Sequence, residues 1–331
     1  MTLVRRQFLG LLGGLGTVPL AMRNALSPAW AEAYPTRPVR IIGTTGPGGQ
    51  GDTTARLVAA KLTETVGQPF YVENMPGAGG NIAMAATARA APDGYTVLCA
   101  TSNIATNISL FPKIPYDPYK DFEPVSLLCS SPHVLVVHPS VPVKSVQELI
   151  ALAKSKPGQL NYASSGIGTP PHLGGELFKA MTGVDIVHVP YREANSALNA
   201  VIAGNVQMMF SIATTAQAQI KGGTVRGLGV ATLAPTSLVP DLPTIASQGL
   251  PGFEVIGWNG VVAPAGTPAA IVSKLNAAIG HGIADPQLKT QLAAAGYDVA
   301  TPNTPEQFTK FINDDTERWS GVVQKANISA K

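Results

Sequence analysis

The chain has 331 residues, 45% hydrophobic and 13% charged. This composition belongs to a folded protein, long enough for about two domains and for a core that needs no disulfide or metal. The formal charge of +3 is carried by Arg5, Arg6 and Arg23 near the N-terminus, and no Lys/Arg run follows, so nucleic acid is excluded as an expected partner.

Residues 1–33 read as a cleavable export signal. Arg5-Arg6 precede an apolar, Gly-containing run over 8–22, and A-x-A cleavage patterns occur at Ala29–Ala31 and Ala31–Ala33. The run is short for a membrane span. The paired arginines resemble a twin-arginine signal, with Sec export the alternative. No Cys lies near the cleavage site, so a soluble periplasmic product is expected.

The mature chain alternates strands and helices. An apolar strand over 39–44 leads through a Gly-rich turn, 46–51, into a helix over 53–66. Ala55, Val58, Ala59, Leu62 and Val66 fall on one face of that helix, and Gly67 ends it. A strand over 70–73, a Pro/Gly loop, a helix over 81–91, a Pro92-Asp93-Gly94 turn and a strand over 95–100 follow. Strand-like runs at 125–129 and 133–138 come next, the second a crossover into another lobe with strands at 160–163, 186–189, 206–210 and 225–231. The Pro-rich stretch 236–251 brings the chain back. Ser145…Glu148 and Thr304…Gln307 are capping boxes opening helices over 149–155 and 305–325. Thr267-Pro268 and Asp285-Pro286 open two more. The pattern predicts an α/β fold with largely parallel sheets and two lobes, residues 34–136 with 233–331 and residues 137–232, flanking a ligand cleft. Cys99 and Cys129 sit in apolar strand-like segments, and spacing alone leaves two buried thiols and a disulfide equally open.

Gly46-Pro47-Gly48-Gly49-Gln50-Gly51 is a literal G-x-G-x-x-G between strand and helix, with Glu73 ending the next strand. A dinucleotide site has this layout. Pro47 inside the turn and Asp52 at the helix mouth, which repels pyrophosphate, weigh against an oxidoreductase. The turn still offers N–H groups and a helix N-terminus to an anion. A secreted hydrolase is the other rival. No G-x-S-x-G, S-x-x-K or H-E-x-x-H occurs, although a triad can be assembled from distant residues. His133 and His138 fall on opposite faces of a strand and read as satisfied structural histidines. His172 reads as a support for the adjacent Ser/Gly loop, and Trp258 as a core aromatic rather than a cleft wall.

From Tyr34 onward the sequence resembles the tripartite tricarboxylate transporter receptors, the Bug or TctC family. The resemblance is carried by Tyr34–Pro38, Pro47–Gly49 with Asp52 and Arg56, Gly67-Gln68, Val72–Asn74 and Pro76–Asn81. It continues through Pro92–Thr96, Ser164–Thr169 with His172, His188–Tyr191, Leu242–Thr244, Gly257-Trp258 and Ala263–Pro268. It implies a two-lobed type II periplasmic-binding-protein fold with a hinge. It further implies a monomeric receptor without catalytic residues, metal or cofactor, delivering a small organic carboxylate to a membrane permease. The ligand residues it implies lie on four loops: Thr45, Gly48, Gly49, Gln50 and Asp52; Ser102 and Asn103; Ser164, Ser165, Gly168 and Thr169; Tyr191 and Ser211. The chain departs from the family pattern at Thr45, where an aromatic is common, at Glu193, where Gly is common, and at Ser211, near which Asp is common. These departures bear on which carboxylate is bound.

Overall fold

The computed structural model describes residues 34–191, 193–325 and 328. The expected export signal lies outside them, as does Arg192. Residues 35–331 group as one compact unit.

The element order is β1 (Val39–Gly43), α1 (Gln50–Val66), β2 (Phe70–Asn74), α2 (Asn81–Ala88), β3 (Thr96–Thr101), α3 (Asn103–Leu110), β4 (Phe122–Val137), α4 (Val146–Ser155), β5 (Leu160–Ser164), α5 (Pro170–Thr182), β6 (Ile186–Pro190), α6 (Ala194–Ile202), β7 (Met208–Ile212), α7 (Ala213–Lys221), β8 (Arg226–Val230), β9 (Ile256–Pro264), α8 (Ala269–Ala284), α9 (Pro286–Ala294), β10 (Asp298–Val299) and α10 (Pro305–Lys325). The strands run β2-β1-β3-β9-β4-β7-β5-β6, with β8 and β10 also paired to β4.

The sheet is mixed, not largely parallel. β1–β2, β1–β3, β5–β6 and β5–β7 are parallel, whereas every pairing of β4 and β9 is antiparallel. The reason is β4. The two strand-like runs expected at 125–129 and 133–138 are one 16-residue strand. Its first part, Phe122 to Pro132, pairs with β9, and its last part, His133 to Val137, pairs with β7 and β8. Register shifts between Pro124 and Ser126 and between Leu127 and Cys129 absorb the bend of so long a strand. Pro132 costs nothing in this ladder because it stands at the last β9 pair.

Side-chain alternation then buries β4 on both faces. Leu135 and Val137 join one cluster with Tyr162, Phe178, Phe210 and Phe253, while Val134 and Val136 join another with Val201, Met209 and Ala213. A third cluster, on the β1–β3–β9 side, contains Ile42, Met84, Leu98, Trp258 and Phe308. α10 ties the ends together, giving Phe308 and Ile312 to this last cluster and Trp319, Val322 and Val323 to the first.

Local chemistry sets the helix ends. Ser145 Oγ accepts from Glu148 N. Asp285 accepts from Gln287 N and Leu288 N. At α10 the capping box closes both ways, Thr304 N to Gln307 Oε1 at 2.9 Å and Gln307 N to Thr304 Oγ1 at 3.2 Å. Gly67 ends α1 with φ 74°, a conformation glycine adopts without strain. α1 starts at Gln50, three residues before the sequence-based start, because the helix begins inside the glycine motif. β7 lies at Met208–Ile212 rather than 206–210. Cys99 and Cys129 are both free thiols, buried. Burial pushes Cys129 up to about 12 and Cys99 higher still, a neighbouring Cys129 adding to the rise. Both are inert by that criterion. Among the described residues no helix is long and apolar enough to cross a membrane, and no His/Cys/Asp/Glu group is placed to hold a metal.

Trp258 is held edge-on by Phe308 and Phe311, with ring centroids at 5.6 and 5.5 Å, and its Nε1–H donates to Asp315 at 2.8 Å. A methyl group on Gly260 would overlap the Phe308 ring. Gly260→Ala is therefore expected to destabilise the protein by about 1–3 kcal/mol through overpacking, read by urea unfolding; an unchanged midpoint would contradict this packing.

Candidate functional site

A cavity of ≈ 290 Å³ is of a size for a small molecule. It opens where the chain leaves the strands. Thr44, Thr45 and Gly51 reach it from the β1–α1 turn, Gly77, Gly79 and Gly80 from the loop before α2, and Thr101, Ser102 and Asn103 from the end of β3. Across from them stand Ser165, Thr169 and Pro170 before α5, Ala194 and Asn195 at the start of α6, and Ser211, Ile212 and Thr215 at the start of α7. Ser131, His133, Gly257, Trp258 and Asn259, on β4 and β9, form its floor, and Pro171, Leu198, Met209 and Phe210 add apolar surface.

Six helices, α1, α2, α3, α5, α6 and α7, thus start at this cavity among the described residues. None of the six has its N-cap side chain bonded to its first turn. Ser145, Asp285 and Thr304, which do cap, serve helices that start elsewhere. A helix N-terminus carries about half a positive charge and unpaired N–H groups. α5 is the partial exception, since Pro170 and Pro171 have no N–H to offer and it lends mainly its dipole. No described lining residue is Asp, Glu, Lys or Arg.

Of the residues singled out from sequence, the structure places Thr45, Ser102, Asn103, Ser165, Thr169 and Ser211 in the lining, and does not place Gly48, Gly49, Asp52, Ser164, Gly168 or Tyr191 there. The side chain of Gln50 is outside the described residues. The glycine turn is closed on itself. Asp52, buried, accepts from Gly48 N at 2.8 Å and Asn74 Nδ2 at 2.9 Å and pairs with Arg56 at 2.8 Å. Gly49 N donates to Gly46 O and Asp52 N to Thr45 Oγ1. Burial alone would raise the Asp52 carboxyl, but Arg56, the Gly48 N–H and Asn74 outweigh it and hold it below the usual carboxylate range. An internal carboxylate therefore occupies the place a bound anion would take in a nucleotide loop, and among the described residues of this turn Thr44, Thr45 and Gly51 reach the cavity.

The Ser/Gly loop is built in the same way. Gly168 N donates to His172 Nδ1 at 3.1 Å, the loop-supporting role read from sequence. Ser164 Oγ lies 2.6 Å from His188 Nε2 and accepts from Gly166 N at 3.1 Å. His188 stacks on Tyr162 and lies 4.2 Å from His172 between ring centroids. Tyr162 donates to Glu176 at 2.6 Å, and Glu176 pairs with Lys179. Ser164 and His188 have the spacing of a nucleophile and its base, yet Ser164 is fully buried and outside the lining. Thr169 donates to Gly166 O at 2.7 Å, whereas the half-buried Ser165 hydroxyl has no partner among the described residues. Tyr191, half-buried, braces the loop through its N–H to Ser164 O at 2.9 Å. Glu193 is exposed.

Sequence reasoning missed three features. Gly77, Gly79 and Gly80 line the cavity, a position hinted at only by the Pro/Gly composition of their loop. Trp258 is both core aromatic and cavity wall. His133 is not satisfied: its Nδ1 is buried without a partner and it lines the cavity. Only the β4 register reveals this, because it sets the residue at the change of partners from β9 to β7.

The sequence profile of the tripartite tricarboxylate transporter family receptor matches residues 54–328. The chain belongs to this receptor family. It is 36% identical to BugT of Bordetella pertussis over 94% of this chain and 96% of that one. Among solved structures it is similar to Rpa4515 of Rhodopseudomonas palustris with adipate (TM-score 0.79, 35% identity, 90% of this chain and 100% of that one). It is likewise similar to MatC of the same organism with bound malate (0.76, 35%, 88% and 100%). The fold is that of the family's periplasmic binding proteins.

The receptor's histidines make its stability depend on pH. Burial, with the neighbouring His188 adding, lowers His172 to about 4, and burial lowers His188 as well. Rings depressed in the folded state contribute stability that is complete above the unfolded value of about 6.5 and is lost as pH falls toward the folded one. The melting temperature is expected to fall between about pH 6.5 and pH 4, and less steeply in His172→Asn. Equal slopes in the two proteins would count against this role for His172.

Proposed function

We propose that this protein is a periplasmic solute receptor that captures a small organic carboxylate in the cavity and delivers it to the membrane permease of a tripartite tricarboxylate transporter. One observation carries the reading: six helices start at a cavity with no formal charge, none with a bonded N-cap side chain, and among the described residues only α1 has a first-turn N–H, that of Asp52, taken by a side-chain oxygen, Thr45 Oγ1. Such a site favours an anion through dipoles and N–H donors, and hydrogen bonds to a charged acceptor are about twice as strong as neutral ones. The adipate and malate held by the two R. palustris relatives are small dicarboxylates and support the same class here.

In this reading the carboxylate contacts Thr45, Ser102, Asn103, Ser165, Thr169 and Ser211 together with main-chain groups near Gly51 and Gly80. Gly48, Gly49, Asp52, Ser164, Gly168 and Tyr191 hold those groups in place. Residues 34–136 with 233–331 form one lobe and residues 137–232 the other. A ligand touching both favours the closed state. The receptor acts as a monomer, without cofactor or catalytic step, after export by way of residues 1–33.

A panel of adipate, malate, a tricarboxylate and an aromatic carboxylate tests this. At a hundredfold excess over its Kd, a bound acid adds about 2.7 kcal/mol of stability, a clear shift in melting temperature. Silence across the panel by melting and by calorimetry would overturn the reading. Ser165→Ala is expected to cost about 1.5–3 kcal/mol of affinity, the worth of a hydrogen bond to a charged group, and unchanged affinity would remove Ser165 from the contacts.

A further inference from the structure

Among the described residues, two buried side-chain polar atoms lack a hydrogen-bond partner: Thr44 Oγ1 and His133 Nδ1. Buried polar groups are nearly always satisfied, so each exception asks for an explanation. Both exceptions line the same cavity, and their residues are only 5% and 2% exposed. They lie on different elements. Thr44 follows β1 and sits against Gly80, whose added Cβ would be 3.3 Å from Thr44 Cβ. His133 stands where β4 changes partners, one residue after the last β9 pair and opposite Ile212 of β7. Two partnerless atoms on residues that line one space would both be satisfied by a guest that reaches between them.

His133 is also the one titratable side chain among the described lining residues. The elements packed against it bring no charge. β7 presents Ile212, β8 leads to Ala231, whose N–H meets His133 O at 2.7 Å, β9 presents Ile256 and Gly257, and α5 brings Pro170 to the same place. The nearest charged groups in these segments are paired elsewhere: Glu254 and Asp315 with Arg318, and Glu176 with Lys179. Burial keeps the empty-site ring neutral and lowers its pKa to about 4, against a weaker opposite pull from the carbonyls of Ser131 and Val255. An anion within about 4–6 Å reverses this, since an opposite charge raises a histidine by roughly 1–3 units.

We propose that His133 contacts the ligand directly and that capture of a carboxylate is coupled to the uptake of one proton at its ring, with the Thr44 hydroxyl bonded to the same ligand. The proposal rests on the carboxylate reading above. The proton comes from solvent and adds to a ring nitrogen; the ligand stays ionised and no other bond changes. The site is uncharged when empty and holds an ion pair when filled. Affinity then rises as pH falls below the pKa of the filled site, by up to about tenfold per pH unit, and falls again where the acid's own carboxylates take up protons, at about pH 4.

Calorimetry tests this with adipate, or with whichever panel acid gives the largest thermal shift, at about pH 5.5 in two buffers of very different ionisation enthalpy. The expected result for the wild type is a binding heat that depends on the buffer in the sense of proton uptake, up to one per site. His133→Asn should bind more weakly with a buffer-independent heat. Thr44→Val should bind more weakly with the wild-type proton count. A wild type that binds with no buffer dependence, or a His133→Asn variant that still takes up the proton, overturns the proposal and leaves the carboxylate reading standing. A wild type that binds no acid of the panel overturns both. If His133→Asn does not fold, the wild-type ring signals decide. Of the five histidines, one Cε1–H resonance should move to the imidazolium position on saturation with the acid; five unmoved resonances overturn the proposal.

Discussion

The first peptide groups of a helix need partners, and around one cavity this protein leaves six helices without a bonded N-cap side chain. Elsewhere Ser145, Asp285 and Thr304 close their own helices, while α8, behind Pro268, also starts without one. At the cavity six helices begin without that service. The unmet polarity is a standing demand for something negative from outside the chain. Where an internal anion would compete, it is tied down: Asp52 is engaged by Gly48, Asn74 and Arg56 below the cavity.

The scaffold serves this arrangement. Helices converge by their N-termini because each follows a strand whose end faces the same space. β4 makes that space common to both halves of the sheet, pairing with β9 over one stretch and with β7 and β8 over the next. α10 ties the hydrophobic clusters on the two sides, and at its middle Asp315 and Arg318 bind Trp258 and Glu254. The ring that walls the cavity is thereby fixed from behind by a charged group that never enters it.

Much of the fold was legible in the sequence because it is written in local signals. Capping boxes, Gly67, and the 3.6-residue apolar spacing from Ala55 to Val66 each depend on a few neighbouring residues. The mixed sheet was not legible, because strand direction is settled by pairings between residues more than a hundred positions apart, such as Leu127 with Gly260. The site was legible by loop but not by residue. Ser165, Thr169 and Ser211 face the cavity, while Ser164 and Gly168, in the same motif, face the histidines beneath it. Nothing in Ser164-Ser165 says which hydroxyl turns inward; His188, 24 residues on, decides it. The same holds for His133, whose neighbours in sequence are ordinary strand residues and whose isolation exists only in three dimensions.

Four glycines, Gly51, Gly77, Gly79 and Gly80, stand along one side of the cavity and bring main chain to its wall. Peptide N–H groups are encoded by no particular codon. A substitution at Thr45, Ser102 or Ser211 changes the shape and polarity of the wall while the backbone donors behind it persist. On the carboxylate reading, a few substitutions in the wall would change which molecule fits while the main-chain donors that favour an anion stay in place.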